Sequence, residues 1–156
     1  MRRQCFRAFS SVYCKCASLS ETAVRHLVDS FCEPVFMYNL PATNISKSEI
    51  SRIEHAWKSI MYRIYGVTTD GALNMVYAHT NCLPICTEML LRQCSFLTDC
   101  SNSLNKIVRF IFTCFGCVEL SKCVGNLGIA DVYMPHMSTK ALRALVFDRF
   151  LCWTIV

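Results

Sequence analysis

Charge is scarce in this sequence: Asp, Glu, Lys and Arg together make up 17% of 156 positions, whereas apolar residues make up 53%. A chain with so much core-forming material and so little charge is not disordered, and its length fits one ordinary domain. Glycine and proline are also few, at 5 and 4. Sandwiches and other folds built from many short strands need turn residues at close intervals, so their shortage points to long helices. No uncharged apolar run reaches the length of about 18 residues that a membrane-spanning helix requires. The nearest approach, Ile107 to Val118, is short and contains Arg109. A membrane partner is therefore not expected.

Recognisable catalytic machinery is lacking as well. There is no glycine-rich phosphate loop, no HExxH and no GxSxG. The five aspartates, Asp29, Asp70, Asp99, Asp131 and Asp148, are all isolated, so no adjacent carboxylate pair is available to bridge two catalytic metals. No small-molecule substrate site is legible. No secretory signal precedes the 12 cysteines, and Cys5, Cys16, Cys32 and Cys94 occupy positions a small hydrophobe would take in a helix, so they read as reduced thiols rather than a disulfide scaffold.

What the sequence does contain is helical periodicity. A first helix is expected from about Arg3 to Cys16, with Cys5, Phe9, Val12 and Cys16 on one stripe and Arg3, Arg7 and Lys15 on the other side. Ser18 with Glu21 forms a capping box for a second helix whose apolar face is Val24, Leu27, Val28 and Phe31. Pro34 kinks or restarts that helix. Ser46 and Glu49 form another capping box, after which Ile50, Ile53, Trp57, Ile60, Met61 and Ile64 follow the helical period, until Gly66 ends it in a left-handed conformation. Arg52, His55, Ser59, Tyr62 and Arg63 form its outer face, and Glu54 and Lys58 stand at the favourable i, i+4 spacing. A short helix is expected over 72–79, and Pro84 opens another that runs to Leu97 with Glu88 and Arg92 bracing its surface. Further on, 104–114 and Thr139 to Trp153 read as helical, while Gly116 to Pro135, with Gly125 and Gly128, reads as a loop. The fold class is thus all-α, an irregular bundle of about five to seven helices without a sizeable sheet.

Cys114, Cys117 and Cys123 are the best local set of metal ligands, because two thiolates two residues apart can share a tetrahedral zinc. A closed structural site needs a fourth donor, however, and the nearest histidine, His136, lies beyond the reach of a zinc knuckle. The cluster reads as free thiols in an apolar segment.

The basic excess lies in the first half. Residues 1–65 carry 9 basic and 5 acidic side chains against 7 and 6 in residues 66–156, within a net charge of +5. The first 20 residues hold Arg2, Arg3 and Arg7, several serines and no acid, a loose match to a mitochondrial address.

Four stretches in order carry a family resemblance. They are a phenylalanine-rich helix ending in a Ser/Cys cluster (FRAFSSVYCKCASLSE), the segment LVDSFCEPVFMY from Leu27 to Tyr38, HAWKSIMYRIYGV from His55 to Val67, and LPICTEMLLRQCSFL from Leu83 to Leu97. Together, over about 90 residues, they resemble the helical region that follows the catalytic palm in reverse transcriptases of non-LTR (LINE-type) retrotransposons. The resemblance covers Arg7 to Cys16, Ser20 to Tyr38, Leu40 to Tyr65 and Leu83 to Leu97.

That resemblance implies a thumb-like region over residues 1–100, with 101–156 as a helical extension packed on it, and a role in gripping the template–primer duplex of RNA and DNA. The family's aromatic-x-Asp-Asp motif and its fingers are missing, so Met1 is read as an internal methionine or accidental start of a truncated product. Phosphoryl transfer is not expected of this chain alone. No cofactor belongs to it, since the divalent metal of the intact polymerase is held by the absent palm. Its partners would be nucleic acid and the missing palm and fingers, in nucleus or cytoplasm. By helix phase, Arg3, Arg7 and Lys15, with Arg52, Lys58 and Arg63 behind them, are the candidate phosphate contacts. The alternative is a helical interaction module, or a mitochondrial protein whose basic N-terminus is its address.

Overall fold

A computed structural model describes residues 2–16, 18–38, 46–133 and 137–155. The side chains of Arg3, Cys5, Leu40, Pro135, His136 and Trp153 lie outside the described residues. Nine α-helices follow in order among the described residues: α1 (Arg2–Cys16), α2 (Glu21–Phe31), α3 (Glu33–Met37), α4 (Lys47–Tyr65), α5 (Asp70–His79), α6 (Ile85–Ser101), α7 (Lys106–Ile111), α8 (Cys117–Asn126) and α9 (Thr139–Ile155). A π-helical turn, Phe112–Gly116, joins α7 to α8. Seven helices reach ten residues or more, and no strand occurs among the described residues, so the all-α expectation holds. The helices form two compact units, Met1–Thr80 and Asn81–Val156. The division set at residue 100 from the sequence falls inside the second of these.

In the first unit α4 is the central element, touching α1, α2 and α5. Its start is fixed by a reciprocal cap: the Glu49 backbone N–H donates to Ser46 Oγ at 3.3 Å, and the Ser46 N–H donates to Glu49 Oε2 at 3.2 Å. Two otherwise unpaired amides are satisfied in this way. Gly66 ends the helix at φ +62, in the left-handed region where a side chain would be strained. Between these ends Ile53, Trp57, Ile60, Met61 and Ile64 are buried on one stripe, and Trp57 is 1% exposed. Removing that indole would cost about 3–5 kcal/mol.

The second helix begins two residues later than the Ser18 box implies. Ser18 lies in the turn that closes α1, where the Leu19 N–H donates to the Cys16 carbonyl at 2.9 Å. Ser20 is the cap instead, its Oγ accepting from the Ala23 N–H, and Glu21 is the first helical residue. The inward face is Val24, Arg25, Val28 and Cys32. Phe31, expected on the apolar face, is 61% exposed. Pro34 does restart the helix, opening α3.

In the second unit α6 touches α7, α8, α9 and the π turn. Leu91 and Cys94 of α6 pack with Cys123 and Val124 of α8 and Leu142 and Val146 of α9. The expected loop at Gly116 to Pro135 is corrected by α8. Gly116 is buried in the π turn rather than ending a helix, and Gly125 is tolerated in the last turn of α8. Gly128, at φ +67, is the true terminator. There the Gly128 N–H donates to the Gly125 carbonyl and the Ile129 N–H to the Val124 carbonyl, a pairing that satisfies the last free carbonyls while burying Ile129 against Val124.

Candidate nucleic-acid interface

The candidate phosphate contacts lie on α1 and α4, which pack against each other. Arg7 and Lys15 are exposed on α1, and Arg52 is exposed near the start of α4. The same helix phase that buries Phe9 turns Arg7 and Lys15 outward, since charged heads resist burial while the apolar stripe seeks it. Arg3 belongs to α1, with its side chain outside the described residues.

Lys58 and Arg63 are already engaged. The Lys58 Nζ lies 3.2 Å from Glu54 Oε1 and 3.3 Å from Asp70 Oδ1, bridging α4 to the first residue of α5. Partial burial opposes its charge, yet the two carboxylates outweigh that and hold its pKa above the ordinary lysine value. The Tyr62 hydroxyl donates to the same Asp70 oxygen. That hydrogen bond, with Lys58 beside it, lowers the Asp70 pKa, and the same hydrogen bond raises that of Tyr62 against the opposing charge of Lys58. Lys58, Tyr62 and Asp70 therefore form a polar clasp joining two helices, and a phosphate would compete with two carboxylates for the ammonium. Arg63 is held differently: its guanidinium carbon is 5.4 Å from the Tyr13 ring centroid, while the Tyr13 hydroxyl donates to the Arg63 carbonyl at 3.3 Å. The guanidinium is thus stacked on α1 while remaining exposed, a geometry that still offers donors to an anion.

The burial of two charges, Arg25 and Glu88, was not anticipated from the sequence. Arg25 is 8% exposed, with Nε 2.7 Å from Asp29 Oδ1 and its guanidinium over Trp57. Its i, i+4 spacing to Asp29 is a legible signal of the same kind as Glu54 and Lys58. Glu88, expected to brace the surface, is instead 8% exposed in the second unit. Arg92 Nε lies 3.4 Å from its Oε1 and Arg143 Nη1 2.5 Å from its Oε2, so two cations offset its burial. Arg143 is 55 residues away in sequence, and no local pattern announces it.

The cysteine set does not converge on a metal. Cys114 and Cys117 are exposed, whereas Cys123 is buried beside Val124 in the second core. Burial pushes the Cys123 thiol up to about 11, which disfavours the thiolate a metal needs. Among the described residues no group of three or more His, Cys, Asp or Glu is placed to hold a metal ion, and the described cysteines are free thiols. No described helix is long and apolar enough to cross a membrane.

Comparison with known protein families, with curated protein sequences and with solved structures finds no match to this chain.

Proposed function

We propose that this chain is a non-catalytic piece of a reverse transcriptase of the non-LTR retrotransposon type, from the helical region that holds the template–primer duplex. The observation that carries the reading is the order of four motif-bearing stretches. The described parts of FRAFSSVYCKC, LVDSFCEPVFMY, HAWKSIMYRIY and LPICTEMLLRQCSFL fall on α1, on α2 with α3, on α4 and on α6. Exposed Arg7, Lys15 and Arg52, with Arg63 stacked on Tyr13, supply the chemistry such a region needs, since a duplex is gripped without regard to sequence through its phosphates. Arg3 extends the set on α1 by sequence.

Catalysis is not part of the proposal. Three of the five isolated aspartates are engaged in ion pairs: Asp29 with Arg25, Asp70 with Lys58 and Asp131 with Arg149. The test of origin is the reading frame upstream of the codon for Met1 in the source genome. The proposal expects palm sequence with an aromatic-x-Asp-Asp motif in that frame. A frame encoding an unrelated polypeptide up to that codon contradicts it.

A further inference from the structure

The segment from Leu104 to Val118 carries an apolar stripe that the second unit leaves outside. Leu104 is 98% exposed, Ile107 69%, Phe110 69%, Ile111 54%, Phe115 74% and Val118 61%. At ~150–200 Å² for a fully exposed side chain of this size, they present on the order of 700 Å² of apolar surface. The largest apolar patch on a typical monomer is roughly 300–600 Å², and one side of a standard protein interface is about 800 Å².

The backbone is built to keep this stripe outward. The segment packs on α6, and Val108, Phe112, Gly116 and Leu120, spaced by four, are among its less exposed positions. In a regular α-helix a spacing of four drifts by about 40° per step, because each residue turns about 100°. The wider π turn at Phe112–Gly116 takes up the drift, so Gly116 stays inward and Phe115 stays out. Only glycine fits there: a Cβ on Gly116 would lie 2.3 Å from Phe112 Cδ2.

The stripe is also self-complementary. Reversing the helix direction about the point between Phe112 and Thr113 sets Ile107 level with Val118, Phe110 with Phe115 and Ile111 with Cys114. The same reversal sets Lys106 level with Glu119, whereas parallel pairing sets Lys106 and Arg109 level with their own copies. Glu119 already pairs with Lys122 at 2.8 Å within the chain. The charges therefore choose the direction and the apolar contact supplies the affinity.

We propose that the chain forms a closed two-fold dimer in which the α7–π–α8 stripes of two copies pack antiparallel, centred on the π turn. Such an interface is isologous, each stripe meeting its own copy. The proposal does not rest on the nucleic-acid reading.

The experiment is sedimentation of the full chain at roughly 1 to 100 µM, a range that brackets a dissociation constant in the micromolar region. The expected result is a concentration-dependent rise to twice the 17.8 kDa chain mass, with no larger species. Phe110→Glu with Phe115→Glu should raise the dissociation constant at least about tenfold, because like charges then face each other across the dyad. Phe110→Glu with Phe115→Lys should recover dimer, because opposite charges do. Both positions are exposed, and an unchanged far-ultraviolet spectrum checks that the variants fold. Slower amide exchange over residues 104–118 of the unaltered chain at higher concentration supports the same interface without a variant. A monomer throughout the range, growth beyond a dimer, or equal behaviour of the two double variants overturns the proposal. So does a monomeric chain whose stripe binds vesicles of phosphatidylcholine and phosphatidylserine, which would assign the face to lipid.

Discussion

The guanidinium carbon of Arg25 lies 5.5 Å from the centroid of the Trp57 ring, with Arg25 8% exposed and Trp57 1% exposed. A cation is thus held against an indole face between α2 and α4, with Asp29 balancing its charge. Arg25 is consequently part of the packing of the first unit rather than of its outer surface.

Replacing Arg25 with Ala should lower stability by about 2 kcal/mol, because it opens space over Trp57 and leaves Asp29 without its partner. Arg25→Met, which fills the space, should recover part of the loss, and adding Asp29→Asn should recover more by removing the stranded charge. Urea unfolding of the three variants checks the order. Equal losses for Ala and Met would show that volume over Trp57 contributes nothing.

Asp70 gives a pH prediction. Its pKa in the folded chain is lowered by the Tyr62 hydroxyl and by Lys58, so the unfolded chain takes up that proton at a higher pH than the folded one. The clasp therefore contributes stability at pH values above the ordinary aspartate range and loses it as pH falls through the lowered value. Asp70→Asn should flatten the acid side of the stability profile at this site. The carboxyl carbon shift of Asp70, followed by nuclear magnetic resonance, should titrate below a typical aspartate. A midpoint at or above that range contradicts the clasp.

Two glycines at opposite ends of α8 should respond with opposite signs. Gly116→Ala drives a Cβ into the Phe112 ring and should destabilise by about 1–3 kcal/mol. Gly125→Ala meets nothing within 4 Å inside α8 and should stabilise by about 0.5–1 kcal/mol through helix propensity. Thermal unfolding midpoints decide both. A neutral Gly116→Ala would mean that the π turn relaxes freely.

Cysteine reactivity should divide by burial. Burial, with Asp29 nearby, pushes Cys32 up to about 11, and burial raises Cys123 equally. At pH 8 their thiolate fraction is then on the order of 0.001. Exposed Cys14, Cys114, Cys117 and Cys152 should be alkylated first, and Cys32, Cys94 and Cys123 last, as read by mass spectrometry. A zinc chelator should leave the helical spectrum unchanged. Unfolding on chelation would place a structural metal at Cys114 and Cys117.

The helices themselves were legible where local signals agree. At α4 the Ser46–Glu49 box, the apolar period and Gly66 all give one answer, and the structure matches it at both ends. At α2 two serines compete for the cap, and only the turn closing α1 shows that Ser20 wins. At α8 glycine misled, because Gly116 serves close packing and only Gly128 serves termination. In the candidate interface, exposure of Arg7, Lys15 and Arg52 followed from helix phase. The engagement of Lys58 by Asp70 did not, since it depends on how α5 docks, and neither did the Glu88–Arg143 pair between distant helices.

The central claim is a phosphate-binding face on α1 and α4, and salt dependence of binding tests it most directly. Fluorescence anisotropy of a labelled RNA–DNA hybrid duplex, titrated with the chain at several salt concentrations, should show roughly micromolar or weaker affinity at low salt. Log affinity should fall linearly with log salt, with a shallow slope reporting a few released counterions, and should not depend on duplex sequence. Replacing Arg3, Arg7, Lys15 and Arg52 together by Ala should weaken binding to every duplex alike, while leaving stability within about 0.5 kcal/mol per site. No salt-dependent binding at low ionic strength, or binding untouched by those four substitutions, would contradict the account.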